Sequence, residues 1–172
     1  MKQGKSYSKF IMLSTHSSPV LLVLCTGNVC RSPMAEALFA RRMDELKLDA
    51  VVMSRGLAAP VGRRPHPHAV AVAQAKGIPL NEGKRAAAVT SADMAMATVV
   101  FVMDAGHRRE VQQRFPTATG KTFLLGQWSS QEIADPINEP LSAFELAWDQ
   151  CDSGAKEWLR RLHEAGMLRV VA

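Results

Sequence analysis

Four short apolar runs alternate with amphipathic stretches along the chain. The first run, residues 20–24, is continuously apolar and is followed by polar residues and a glycine, which is typical of a strand buried on both faces of a parallel sheet. The other runs are residues 51–53, 98–103 and 121–125. Because parallel neighbours need crossover connections, this pattern predicts a single α/β domain, a three-layer sandwich with a parallel sheet in its centre.

The segments between these runs show helical spacing of apolar residues. The first helix is predicted to start with Ser32 as its N-cap and Pro33 at its first position. Further helices are predicted for residues 68–76, 92–96 and 105–114, and the last begins near Pro140 with Asn138 as its cap. One apolar stripe on the last helix predicts core positions at Phe144, Trp148, Cys151, Ala155, Trp158 and Leu162.

The first residues differ in composition from the rest of the chain. Residues 1–18 hold three lysines, the single tyrosine Tyr7 and no acidic side chain, so they supply three of the five formal positive charges. We interpret residues 1–18 as a disordered extension or a tag remnant and residues 19–172 as the domain. The mild charge that remains gives no reason to expect a nucleic-acid partner.

The lengths of the apolar runs and the number of cysteines bear on the expected cellular location. No run reaches the roughly twenty apolar residues of a transmembrane helix, and residues 10–13 are too short for the core of a secretory signal. Three cysteines make no disulfide framework. We therefore expect reduced thiols in a cytoplasmic protein without a membrane partner.

One segment concentrates the candidate chemistry. Residues 25–33, Cys-Thr-Gly-Asn-Val-Cys-Arg-Ser-Pro, lie between the first strand and the first helix. Backbone N–H groups of such a turn can converge on a phosphate at the helix N-terminus, and Arg31 can offer two phosphoryl oxygens a planar fork. The same positive field favours the thiolate of Cys25 as a nucleophile, and the Ser32 hydroxyl can donate to it. The predicted phosphate-binding positions are Thr26, Gly27, Asn28, Val29, Cys30, Arg31 and Ser32.

Other interpretations of the cysteines explain less. Free cysteines are often small buried core residues, but that role does not explain why Cys25, Arg31 and Ser32 share one strand-to-helix turn. A Walker loop is absent because no Gly-Lys pair occurs there. A zinc site would need further ligands that the nearby His66 and His68 do not supply at a recognised spacing. We expect neither a metal nor a cofactor.

Residues 25–37 resemble the signature of the low-molecular-weight protein tyrosine phosphatases. The resemblance runs from residue 20 to about residue 163 and includes residues 54–56, residues 101–104 followed by His107, and Asp135-Pro136. It implies a four-stranded parallel sheet in the order 2-1-3-4. It also implies metal-independent hydrolysis of phosphomonoesters through a cysteinyl-phosphate.

The resemblance also implies roles for individual residues. Cys25 is the nucleophile, Arg31 binds the phosphoryl group, Asn28 and Ser32 hold the loop, and Asp135 is the general acid. A carboxyl group can protonate the departing oxygen and later activate water, although Asp-Pro alone is more often only a turn. Cys30 would be a redox neighbour that forms a reversible disulfide with Cys25, or it packs beneath the loop.

The chain departs from the family pattern around the predicted site. Members that prefer phosphotyrosine usually have aromatic residues where this chain has Ile137-Asn138, and often another where it has residues 57–60. Trp128 either compensates or packs. Phosphoarginine-specific members tend to have Thr at the position of Val29.

Two further departures concern charged positions. Lys84 and Ala87 occupy the positions at which many members have a His and an Arg that support the loop. Arg63 and Arg64 either attract an acidic substrate or partner or are solvated loop residues.

The sequence is compatible with three functions. The first is a phosphatase acting on a phosphorylated protein or a small phosphomonoester, with phosphate or another oxyanion in the loop. The second is an arsenate reductase on the same fold, although no cysteine between Arg31 and Gln150 can serve thioredoxin-coupled chemistry. The third is a catalytically weak module that binds phosphoproteins or oxyanions. The sequence leaves the substrate and the oligomeric state open.

Overall fold

The computed structural model describes residues 17–171. The predicted extension, residues 1–18, therefore lies outside the described residues except for Ser17 and Ser18. Ser18 donates a 2.6 Å hydrogen bond from its hydroxyl to the carboxylate of Asp49. Within this part of the chain, no helix combines the length and apolarity needed to cross a membrane.

The main sheet is parallel throughout and has four strands. Its spatial order is β3-β1-β4-β5, which confirms the predicted order 2-1-3-4. The strands are β1 (Val20–Cys25), β3 (Val51–Gly56), β4 (Val99–Val102) and β5 (Thr122–Leu124). A small antiparallel pair was not predicted, because its strands have only two residues each: β2 (Leu48–Asp49) and β6 (Arg169–Val170).

Helices cover both faces of the main sheet, as the three-layer prediction requires. The first, second and last helices pack on one face, and the third and fourth helices pack on the other. They are α1 (Arg31–Glu45), α2 (Pro67–Ala75), α3 (Ser91–Met96), α4 (Ala105–Arg114) and α5 (Leu141–Glu164). Short stretches of 3₁₀ helix lie at Pro116–Lys121 and Gln127–Ser129.

Strand β1 holds the two layers together. Leu21 and Val23 face the core beneath α1 and α5, whereas Leu22 and Leu24 face the core beneath α3 and α4. All four side chains have no exposed surface, and burying each one stabilises the fold by about 1.5–3 kcal/mol. Cys25, the last residue of β1, is thereby fixed at the carboxyl edge of the sheet, where α/β proteins bind ligands.

Two predicted helix caps were wrong. The first helix begins at Arg31, so its N-cap is Cys30, which makes no side-chain capping bond. Ser32 lies inside the first turn because the loop closes back on Cys25 and uses the serine hydroxyl there. The last helix has Pro140 and not Asn138 at its N-cap, again without a side-chain bond.

The predicted apolar stripe of α5 is confirmed, since all six of its residues are buried. Cys151 has no exposed surface, and burial raises the pKa of its thiol to about 12. It is therefore an inert core residue at neutral pH.

Candidate active site

Cys25 lies at the bottom of the turn between β1 and α1, which we call the phosphate loop (residues 25–32). Its side chain is almost completely buried. The backbone N–H of Asn28 donates to Sγ at 3.2 Å, and the Ser32 Oγ lies 3.0 Å from Sγ. The Asn28 amide nitrogen donates to Ser32 Oγ at 2.9 Å, so the serine hydrogen can point to the sulfur or to the Arg55 carbonyl oxygen, which is farther away at 3.4 Å. Two donors thus face the atom that would carry a thiolate charge.

Asn28 organises the loop from inside. Its φ of 53° lies in the left-handed region, which asparagine tolerates better than most residues. Its Nδ2 also donates to Ser54 Oγ at 2.9 Å, and its Oδ1 accepts from the Ala87 N–H at 3.0 Å. The completely buried amide therefore ties the loop to β3 and to the segment before α3.

Gly56, at the end of β3, is required by a close approach of the same loop. A Cβ atom there would lie 2.8 Å from the Thr26 carbonyl oxygen and 3.1 Å from the Asn28 nitrogen. Any larger side chain would push the loop away from the sheet.

A charged pair supports the far side of this network. Ser54 donates from its hydroxyl to Glu36, and Lys84 Nζ lies 2.6 Å from the same carboxylate oxygen. Lys84 also donates to the Ser54 carbonyl oxygen at 3.3 Å. Lys84 and the Ala87 backbone thus support the loop at the two positions for which the resemblance implies a His and an Arg. The contact of Glu36 was not predicted, because a glutamate on a helix carries no local signal of it.

Arg31 joins the phosphate loop to two other segments. Its Nη1 donates to the Ile133 carbonyl oxygen at 2.8 Å and lies 3.4 Å from Asp104 Oδ2, and its Nη2 lies 3.0 Å from Asp135 Oδ2. The side chain is only 3% exposed. Its Nε is buried and has no hydrogen-bond partner in residues 17–171. One edge of the fork is therefore unsatisfied by the protein itself.

Unpaired backbone donors occur in the same loop. Within the described residues, the N–H groups of Gly27, Val29 and Cys30 donate to no protein acceptor, and the start of α1 lacks a side-chain cap. Together with the helix dipole, these groups suit a tetrahedral oxyanion. In the same residues, no three His, Cys, Asp or Glu side chains cluster as a metal site would require.

Asp135 belongs to a segment that we call the acid loop (residues 131–140). Its side chain is 40% exposed, in contrast to that of Arg31, with which it pairs. The Ile133 N–H donates to the Met103 carbonyl oxygen at 3.0 Å, and this bond fixes the loop two residues before Asp135. The structure thus brings Asp135 of the acid loop to Arg31 of the phosphate loop, which also holds Cys25.

His107 is a further neighbour of the loop, and its contact was not predicted. Its Nε2 lies 2.9 Å from Thr26 Oγ1, and its Nδ1 accepts from the Met103 N–H at 3.4 Å. These partners assign the neutral tautomer with hydrogen on Nε2. Burial lowers the pKa of His107, an effect that the neighbouring Asp104 carboxylate opposes and Arg31 reinforces.

Cys30 lies in the phosphate loop and is buried. Burial, followed by the charges of Asp135 and Cys25, raises the pKa of its thiol to about 12. A disulfide forms through a thiolate, and this raised pKa disfavours the thiolate form of Cys30 at neutral pH. Its predicted redox role stays a prediction.

The mouth of the site has little aromatic surface. Ile137 is partly exposed there, and the indole of Trp128 packs elsewhere. The Arg161 guanidinium lies 3.6 Å from the Trp128 ring centroid, and the Trp158 ring lies 5.4 Å away. These contacts favour the packing role of Trp128.

Comparison with known proteins decides the family. Residues 20–167 match the family described as low molecular weight phosphotyrosine protein phosphatase. The chain belongs to this family. It is a cysteine-dependent phosphatase with a phosphotyrosine-phosphatase fold, and nothing in the comparisons favours the arsenate reductase or the weak binding module.

This phosphatase aligns with most of the length of its individual relatives. The probable low molecular weight protein-tyrosine-phosphatase EpsP of Ralstonia nicotianae is 37% identical over 146 residues, 85% of this chain and 97% of EpsP. A protein-arginine-phosphatase of Geobacillus stearothermophilus is 36% identical over 137 residues, 77% of this chain and 88% of that protein. The structure of the tyrosine phosphatase Wzb from Escherichia coli K30 with sulphate is 31% identical, with a TM-score of 0.78 over 85% of this chain and 99% of Wzb.

Proposed function

We propose that this phosphatase removes the phosphoryl group from a phosphorylated side chain of a protein, with Cys25 as nucleophile, Arg31 as phosphoryl ligand and Asp135 as general acid. The observation that carries the proposal is the buried, unpartnered Nε of Arg31, which lies in a loop with unpaired backbone donors. A phosphoryl group supplies the oxygens that these donors lack.

Binding of the phosphoryl group rearranges one contact. To offer Nε and Nη2 together as a fork, Arg31 must release the Asp135 carboxylate, which now lies 3.0 Å from Nη2. The released carboxyl group stays at the mouth of the site, where the leaving oxygen of the substrate emerges. Asp104 continues to hold Nη1, so the guanidinium keeps its orientation.

The first chemical step forms the cysteinyl-phosphate. The Cys25 thiolate attacks phosphorus, the bond from phosphorus to the leaving oxygen breaks, and protonated Asp135 gives its proton to that oxygen. Arg31 and the loop N–H groups stabilise the charge on the equatorial oxygens. Thr26, Gly27, Asn28, Val29, Cys30 and Ser32 contribute the backbone of this phosphate cradle.

The second step releases phosphate. The Asp135 carboxylate takes a proton from water as the water oxygen attacks phosphorus, and the phosphorus–sulfur bond breaks. The departing Cys25 thiolate is stabilised by the Asn28 N–H and by the Ser32 hydroxyl, at 3.2 Å and 3.0 Å from Sγ. No metal or cofactor takes part in either step.

Hydrolysis of 4-nitrophenyl phosphate in the presence of a metal chelator tests this function. Wild type should turn over, Cys25→Ser should lose at least about 10⁴-fold in kcat, and Cys151→Ala should keep full activity because its thiol lies in the core. Folded wild type without turnover would contradict the proposal. Phosphotyrosine and phosphoarginine peptides then identify the residue type.

We also propose a reducing compartment, such as the cytoplasm, as the place of action. The three cysteines are free and buried, and the nucleophile works only as a reduced thiolate. Cell fractionation with an antibody against the full chain checks this location, which a periplasmic or secreted pool would contradict.

A further inference from the structure

A basic groove lies beside the phosphate loop. It has a volume of about 540 Å³, and its lining includes Arg63, Arg64 and His66 on one side. Its lining also includes Val29 of the phosphate loop and Ile137 and Asn138 of the acid loop. The groove therefore continues directly from the place where a phosphorylated side chain would enter.

The backbone that carries the two arginines is fixed to the site. The His66 N–H donates to the Val29 carbonyl oxygen at 2.8 Å, and the Ala86 N–H donates to the Arg63 carbonyl oxygen at 2.8 Å. The His66 ring stacks on Phe144, with centroids 4.8 Å apart. These bonds hold the arginines at a set distance from the phosphate loop.

The charges of the groove are unbalanced. No acidic residue lines it, and within residues 17–171 neither the Arg63 nor the Arg64 guanidinium forms an ion pair, whereas Arg31, Arg42 and Arg55 do. Both side chains are exposed. Burial and the neighbouring His68 lower the pKa of His66, so the positive charge of the groove comes from the arginines alone.

We propose that this groove binds an acidic side chain next to the phosphorylated residue of a protein substrate. The inference rests on the proposed function and adds the sequence context of the substrate. Two unpaired guanidinium groups on a fixed backbone offer charge-assisted hydrogen bonds to a carboxylate. The groove is large enough to admit an acidic side chain, and its apolar part, Val29 and Ile137, would contact the methylene groups of that residue.

The test compares matched phosphotyrosine peptides that carry either Glu or Gln at the two positions on each side of the phosphorylated residue. Wild type should prefer the Glu peptide by about five- to tenfold in kcat/KM, as expected for two partly solvated ion pairs. Arg63→Ala/Arg64→Ala should remove the preference and leave 4-nitrophenyl phosphate hydrolysis unchanged. Arg63→Glu/Arg64→Glu should reverse it in favour of a Lys-flanked peptide.

The control is Arg108→Ala/Arg109→Ala, which removes two adjacent exposed arginines of α4 from outside the groove. It should keep the Glu preference. Equal kcat/KM for the Glu and Gln peptides in wild type that hydrolyses 4-nitrophenyl phosphate would overturn this inference and leave the proposed function intact. The same loss in the control variant would also overturn it, since the effect would then come from overall charge. Absence of any hydrolysis by wild type would overturn both.

Discussion

The phosphate loop and the acid loop meet at Arg31, yet they are held in opposite ways. Asn28, Ser32 and Cys25 are buried and joined by hydrogen bonds of 2.9–3.2 Å. Asp135, in contrast, is 40% exposed and contacts Arg31 and, at 3.3 Å, the Ile137 N–H. In the proposed mechanism, the phosphate site is therefore preorganised before the substrate binds. The proton donor, in contrast, must be free to change partners.

Arg31→Lys tests the phosphate loop and should have the largest effect on activity. A lysine keeps the charge but cannot offer a planar fork to two oxygens and cannot span Asp104, Ile133 and Asp135 together. We expect kcat/KM to fall by about 10²–10³-fold, the usual cost of losing a preorganised oxyanion donor. Steady-state kinetics with 4-nitrophenyl phosphate measure the loss, and a fall below about tenfold would mean that charge alone suffices.

Asp135→Asn tests the acid loop. Without a proton donor, kcat on phenyl phosphate should fall by about 10²-fold. Competitive inhibition by inorganic phosphate should strengthen by about two- to fivefold, because Arg31 no longer pairs with a partly exposed carboxylate.

The neighbouring Glu132 provides the control for this variant. Its carboxylate accepts from the Ala105 N–H at 2.8 Å, so Glu132→Gln changes a charge of the same loop without touching Arg31. It should leave both the rate and phosphate inhibition close to wild type. Unchanged phosphate inhibition in Asp135→Asn would show that the ion pair does not compete with the substrate.

Two variants of Asn28 distinguish the effect of its hydrogen bonds on stability from the effect of its backbone conformation. Both Asn28→Gly and Asn28→Ala remove the buried amide, which costs about 2 kcal/mol of unfolding free energy through the partners left unpaired. The alanine variant should lose about 1 kcal/mol more, because its Cβ disfavours the positive φ of 53°. Urea denaturation measures both, and equal losses would mean that the loop changes conformation when the amide is removed.

His107 gives the smallest expected effect. The pKa of an unfolded histidine is about 6.5, and burial lowers that of His107 in the folded chain, so the unfolded state binds more protons between the two values. The contribution of His107 to the free energy of unfolding should therefore be fully present above pH 6.5. It should decrease as the pH falls below that value. Denaturation at pH 7 and pH 5 should show a smaller decrease in His107→Gln than in wild type.

A matched histidine distinguishes this effect from a general one. His66 also has a pKa lowered by burial and by His68, but it is more exposed than His107. His66→Gln should remove a smaller part of the pH dependence. The opposite ranking of the two variants would contradict the assignment of His107 as the principal buried titrating histidine.

The sequence predicts those parts of the molecule that depend on local pattern. The continuous apolar run of β1, the stripe of α5 and the strand order follow from burial and the family resemblance, and all are confirmed. The cap positions failed at Ser32 and Asn138, since the hydroxyl of Ser32 bonds within the phosphate loop and the acid loop runs on to Pro140 before the helix starts.

Contacts made across the fold were beyond local pattern. The bond between His107 and Thr26 joins residues 81 positions apart, and that between Lys84 and Glu36 joins residues 48 apart. Neither pair has a spacing that a helix or a strand would reveal. Only the packed sheet, which places the carboxyl ends of β1, β3 and β4 side by side, brings these side chains to the loop.

The most direct test of the whole account is to trap the phosphoenzyme. Asp135→Asn mixed with 4-nitrophenyl phosphate should form the intermediate, because this leaving group needs little protonation, and should then break it down slowly. Rapid quenching followed by phosphorus NMR and peptide mass spectrometry should find phosphorus bonded to the sulfur of Cys25. Phosphate on another residue, or turnover without any covalent phosphoenzyme, would contradict the account.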